Sequence, residues 1–185
     1  MFEQSPESLS DIEILDILQS MKKDKLDTEA NEIIRNGGKA GRQEAHKQAL
    51  VALNTNFEEK FVEAVTLALG LNAAQAKKIR YKKDRIRILK ARGIDYLAVD
   101  GAETAQVLAQ ISQAIVREDA IVTHDLHNIF PFWKEGFPMV QFDNAYKIFS
   151  VHDKFHRTLI LSGFCLLKIA KISLNSSFFP KPIKR

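Results

Sequence analysis

Residues 61–92 read FVEAVTLALGLNAAQAKKIRYKKDRIRILKAR, a stretch in which helical apolar spacing, a central glycine and a dense run of cations coincide. Phe57, Phe61, Val65 and Leu69 recur every four residues, which lines up one face of an α-helix. Gly70-Leu71-Asn72 interrupts that face, and Ala76, Ile79, Ile86 and Leu89 resume the helical period beyond it. These are the parts of a helix-turn-helix: an apolar stripe at Val65 and Leu69, Gly70 for the tight turn, Leu71 just after it, and Ala76 and Ile79 as anchors of a second helix. Thr66 stands where such motifs place a small residue. The reading predicts a second helix over 72–87 that presents Asn72, Lys77, Lys78 and Tyr81 to base edges or phosphates. Arg80, Lys82, Lys83, Arg85 and Arg87 extend the cationic surface. Asn72 has a competing use as the cap of that helix, which would remove it from readout.

Charge supports a dedicated surface. From Lys77 to Arg92 there are nine Lys or Arg against one acid, Asp84, a local charge of +8; subtracting it from the chain's +4 leaves −4 for the rest. A local rather than a uniform excess is what a phosphate-binding face requires. About five phosphate contacts would make affinity fall with salt at a log–log slope near −4.5 on duplex DNA.

Working towards the N-terminus, Ala45, Ala49, Leu50 and Leu53 predict a helix that ends in Asn54-Thr55-Asn56, with Asn56 and Glu59 offering the next cap. Leu26, Ala30, Ile33 and Ile34 predict an earlier helix stopping at Asn36-Gly37-Gly38. Ser10-Asp11-Ile12-Glu13 has the capping-box pattern of a first helix start. Gly37-Gly38-Lys39-Ala40-Gly41-Arg42 is glycine-rich and basic, but it lacks the G-x-x-x-x-G-K-[ST] spacing of a phosphate loop and reads as a connector. His46 is assigned no role.

Working towards the C-terminus, the period changes. Ile94 to Val99 has strand-like composition and ends in the turn dipeptide Asp100-Gly101; Ala105, Val107, Leu108, Ile111 and Ile115 restore helical spacing; Ala120-Ile121-Val122-Thr123 reads as a second strand. Together they predict one βαβ unit with parallel strands, and a further strand is expected over 139–142. The expected fold is therefore mainly α through the N-terminal two-thirds with a small α/β segment, the alternative being all-α. The expected organisation is a helical region over 1–92 with the helix-turn-helix at 61–92, the α/β segment over 93–150 and an apolar helix with a basic tail over 151–185, together one compact unit.

In the βαβ reading Asp100, His124 and Asp125 sit at the carboxyl ends of adjacent strands, where sites in open α/β sheets gather. They are the candidate catalytic residues of an alternative function, a nuclease or phosphohydrolase whose divalent metal activates water. His124, His127, His152 and His156, in H-x-x-H and H-x-x-x-H spacing, are the candidate metal ligands. No cofactor is expected otherwise. The lone Cys165 lies among Phe164, Leu166 and Leu167 and implies no disulfide. The acidic N-terminus lacks a signal-peptide pattern, and residues 159–174, interrupted by Lys168 and Lys171, are too short for a spanning helix of about 20 residues. A reducing cytoplasm and no membrane partner are the expectations. The rings of Phe130, Phe132, Trp133 and Phe137 serve either as core or as interface anchors.

The first functional expectation is thus a small nucleic-acid-binding protein, DNA favoured over RNA, acting as a homodimer on half-sites about one helical turn apart. Beside the nuclease stands a third class, an interaction or inhibitor protein whose basic helix meets an acidic protein surface.

Overall fold

A computed structural model describes residues 27–99 and 102–150. The expected helix from Ser10, Asp100, the pair His152 and His156, Cys165 and the expected apolar helix and basic tail over 151–185 lie outside the described residues. Of the described chain 71% is helical and none forms a strand, so the protein is mainly α and the expected α/β segment is replaced by helices and turns.

The organising element is one long helix. Helix α1 (Thr28–Gly37) leads through a glycine turn into α2 (Arg42–Leu69), which runs 28 residues. At 1.5 Å per residue α2 is about 42 Å long. Its buried side chains, among them Leu50, Leu53, Phe57, Phe61 and Val65, are covered by α1, by α5 (Ala102–Arg117) and by α7 (Phe142–Ser150). The close approach of α1 and α2 depends on Gly37, where an added Cβ would collide with the side chain of Ala45.

The expected break at Asn54-Thr55-Asn56 does not occur. Thr55 Oγ1 donates to the Val51 carbonyl at 3.0 Å, so its hydroxyl is satisfied within the helix instead of competing with it. Leu53 and Phe57 on either side are buried, and their packing carries the helix through three residues of modest propensity.

Both predicted strands dissolve for local reasons. Ile94 and Tyr96 are buried and Asp95 and Leu97 exposed, which is strand-like alternation. The Asp95 carboxylate, however, accepts from Leu97 N–H at 3.2 Å, and Ala98 and Val99 donate back to Asp95 and Tyr96, closing a 3-10 turn at Tyr96–Ala98. The donors a neighbouring strand would need are consumed inside the turn. At 120–123 the chain makes an isolated antiparallel bridge, Ile121 to Pro138. Met139 N–H donates to Ala120 O at 2.7 Å and Val122 N–H to Phe137 O at 2.9 Å, so 120–139 closes on itself around the short helix α6 (His124–Ile129). The expected strand over 139–142 is the end of that loop and the start of α7.

Gln43, one residue into α2, ties α7 down. Its amide oxygen accepts from Phe142 N–H at 2.7 Å and its amide nitrogen donates to Asp143 at 2.9 Å, while Arg42 pairs with Asp143 at 2.8 Å. The Gln43 hydrogen bond, with help from Arg42, holds the Asp143 carboxyl below its ordinary 3.8 against a smaller opposing effect of burial. A single apolar core results, running from Ala30 to Phe149 across the expected boundary at 92 and 93.

Candidate nucleic-acid interface

Helix α2 stops at Leu69 because Gly70 takes a left-handed conformation, φ 56°, which lets its own N–H and that of Leu71 reach the Thr66 carbonyl. Asn72 then starts α3 (Ala73–Lys78) with a capping box. Its Oδ1 accepts from Gln75 N–H at 2.9 Å, and Gln75 Oε1 accepts from Asn72 N–H at 3.2 Å. Asn72 is a cap, and its carboxamide oxygen is not offered to a base edge.

The second helix expected over 72–87 is broken. Helix α3 has six residues, Ile79-Arg80-Tyr81 forms a turn, and α4 (Lys82–Lys90) starts afresh from an extended Tyr81. Ile79 is fully buried and pins the turn, while Tyr81 is 63% exposed. A six-residue helix cannot lay the length of a recognition helix into a major groove, so the helix-turn-helix reading holds for the turn at Gly70 and fails for the element that would read bases.

The nine cations of 77–92 divide into two groups. Three are engaged internally. Arg85, only 5% exposed, donates from Nε to Ile79 O at 3.0 Å, from Nη1 to Tyr96 Oη at 3.3 Å and from Nη2 to Glu58, and its guanidinium lies over the Phe61 ring at 4.4 Å. Burial opposes its charge, yet the hydrogen bond and charge of Glu58, with Tyr96, raise its pKa above the ordinary value. Arg92 donates to the Leu69 carbonyl at 2.7 Å, a cation at the carboxyl end of α2 where the helix dipole favours it. Arg87 pairs with Asp84 at 2.5 Å. Arg85 is therefore corrected from phosphate ligand to internal post: it fastens the 79–81 turn to α2.

The other six, Lys77, Lys78, Arg80, Lys82, Lys83 and Lys90, are exposed and make no ion pair with any described residue. Five of them crowd into seven residues on the turn and its two flanking helix ends, with the Tyr81 ring among them.

The histidine candidates do different work. His124 is at the start of α6, behind a Thr123 cap, and pairs with Glu135 at 2.9 Å. The Glu135 hydrogen bond and charge raise the His124 pKa above 6.5. His127 Nδ1 lies 2.6 Å from the Trp133 carbonyl, which can only accept, so the proton is on Nδ1. Trp133 in turn donates to Val140 O at 2.6 Å. Asp125 is exposed on α6 rather than at a strand end. Among the described residues no group of three or more His, Cys, Asp or Glu could hold a metal ion. Phe130 and Trp133 are buried, whereas Phe132 and Phe137 are exposed at 37% and 52%, so the aromatic run is divided between core and surface.

Sequence reasoning missed Glu58 and Tyr96, which make Arg85 an internal residue. A signal for Glu58 existed: Val51, Asn54 or Thr55, and Glu58 recur at helical spacing beside the apolar stripe of α2. Among the described residues no helix is long and apolar enough to cross a membrane. No family model, curated protein or solved structure matches this chain.

Proposed function

We propose that this protein binds nucleic acid through the phosphates, using the turn between α3 and α4 as a cationic ridge. The observation that carries the reading is the unpaired set Lys77, Lys78, Arg80, Lys82 and Lys83 around exposed Tyr81, on a turn anchored from beneath by Ile79 and Arg85. Five like charges in seven residues repel one another, and nothing among the described residues neutralises them. A polyanion does so, releasing its counterions as it binds. Tyr81 adds a flat apolar ring on which an unpaired base can stack, a contact worth about 1–3 kcal/mol and indifferent to sequence. The combination of backbone cations and one exposed aromatic suits a single strand better than a duplex. With α3 too short to read a groove, the ridge sets no half-site spacing, and a homodimer is not part of the proposal.

Fluorescence anisotropy of labelled single-stranded DNA, single-stranded RNA and duplex DNA across a salt series tests it. The expected result is tighter binding of the single strands, with a log–log slope near −3.5 for about five contacts at about −0.7 each. Lys77→Glu, Lys78→Glu, Lys82→Glu and Lys83→Glu together should abolish the signal. Absence of binding at about 50 mM salt, or binding that survives the charge reversal, defeats the proposal.

A further inference from the structure

Beside the ridge, residues of α2 and α5 line a cleft of about 690 Å³ that neither the fold nor the ridge explains. It falls within the range of about 300–1,000 Å³ typical of small-ligand sites. Among the α5 residues lining it, Ala105, Ala109 and Ser112 are small and alternate with the longer Gln106, Gln110 and Gln113. Its floor carries the Glu58 and Arg85 pair, whose charges cancel. Its walls carry carboxamides: Asn54 from α2, and Gln106 and Gln110 from α5. Among the described residues no hydrogen bond holds the amide of Gln106 or Gln110. The mouth is cationic, with Arg80, Lys82 and Arg117, and Tyr81 stands beside them.

We infer that this cleft is a nucleotide pocket: a base enters between α2 and α5, its edge meeting Gln106 and Gln110, while its 5′-phosphate stays at the mouth with Arg80, Lys82 and Arg117. Carboxamides offer a donor and an acceptor on one planar group, which is what the edge of a nucleobase requires. The neutral floor admits an uncharged heterocycle, and the positive mouth orients its phosphate outward. The choice of ligand class rests on the phosphate-binding reading above, and the mouth shares Arg80, Tyr81 and Lys82 with the ridge, but the base would meet Gln106 and Gln110, which are not ridge residues. The same chemistry is available from a free nucleotide or from an unpaired nucleotide of a strand lying on the ridge.

The test uses the full chain, the four ribonucleoside 5′-monophosphates, inorganic phosphate, and one single-stranded oligonucleotide with and without abasic sites. By calorimetry at least one monophosphate should bind more than about tenfold tighter than inorganic phosphate, a difference of about 1.4 kcal/mol. Gln106→Leu with Gln110→Leu, and separately the isosteric Gln110→Glu, should each weaken that binding about tenfold while leaving the salt slope of strand binding unchanged. Circular dichroism confirms that each variant is folded, and the isosteric one guards against a packing defect. If free monophosphates compete with the base-bearing strand, the pocket serves the free nucleotide; if only that strand outbinds its abasic counterpart, it serves a base of the strand. The inference is overturned if monophosphates bind no better than phosphate and the two strands bind equally, a result that leaves the ridge intact. Nucleotide binding without strand binding would instead overturn the ridge and leave the pocket standing.

Discussion

Arg85 and Glu58 form a largely buried ion pair that fastens the 79–81 turn to α2. The Arg85 and Glu58 side chains are 6% and 18% exposed, and Arg85 also holds the turn carbonyl of Ile79. Glu58→Ala leaves a buried cation without its counter-charge, and urea denaturation should record a loss of about 3 kcal/mol. Replacing both partners, Arg85→Met with Glu58→Leu, removes the uncompensated charge and should recover all but about 1 kcal/mol of that loss. The double variant should also keep the salt slope of the proposed nucleic-acid binding, since Arg85 is buried and bonded within the protein; a slope reduced by about one contact would put Arg85 back on the binding surface.

At the scale of the element, α3 is the informative case. Six residues do not hold a helix in water on their own, so α3 persists through its two ends, the capping box of Asn72 and Gln75 and the buried Ile79. Asn72→Ala removes the cap and should cost about 1 kcal/mol. Hydrogen–deuterium exchange should show the loss concentrated in 73–78, with the centre of α2 changed only by the global shift. Uniform acceleration across both helices would mean that the cap is not what holds α3. The stop at Gly70, the cap at Asn72 and the anchors Ile79 and Leu89 were all legible in sequence, because each depends on neighbours within a turn or two. The break at Ile79-Arg80-Tyr81 was not, for KKIRYKKDR contains no glycine or proline to announce it. Nor was the burial of Arg85, whose partners lie 27 residues upstream and 11 downstream. The run from Ile94 to Val99 misled for the opposite reason: its alternation was real, but one aspartate side chain diverted the backbone into a turn.

For the whole molecule the question is whether the helical half and the segment beyond 92 unfold together. The core runs without interruption from Ala30 to Phe149, and α2 packs against both α1 before it and α5 and α7 after that boundary. Small domains with one core unfold in a single step. The protein has one tryptophan, Trp133, which is 1% exposed and sits in the 120–139 loop, so its emission reports the later part of the chain. Far-ultraviolet circular dichroism is dominated by the helices, α2 above all. The two signals should therefore give the same urea midpoint. Leu50→Ala supplies the stronger form of the test: Leu50 is fully buried on α2, and its truncation should cost about 2–5 kcal/mol. If the core is continuous, that loss moves the Trp133 transition by the same increment as the helical one, although residue 50 is distant in sequence from the reporter. A Trp133 midpoint that stays in place while the helical signal shifts would instead divide the chain near residue 92, into the two regions that its sequence periodicity suggests.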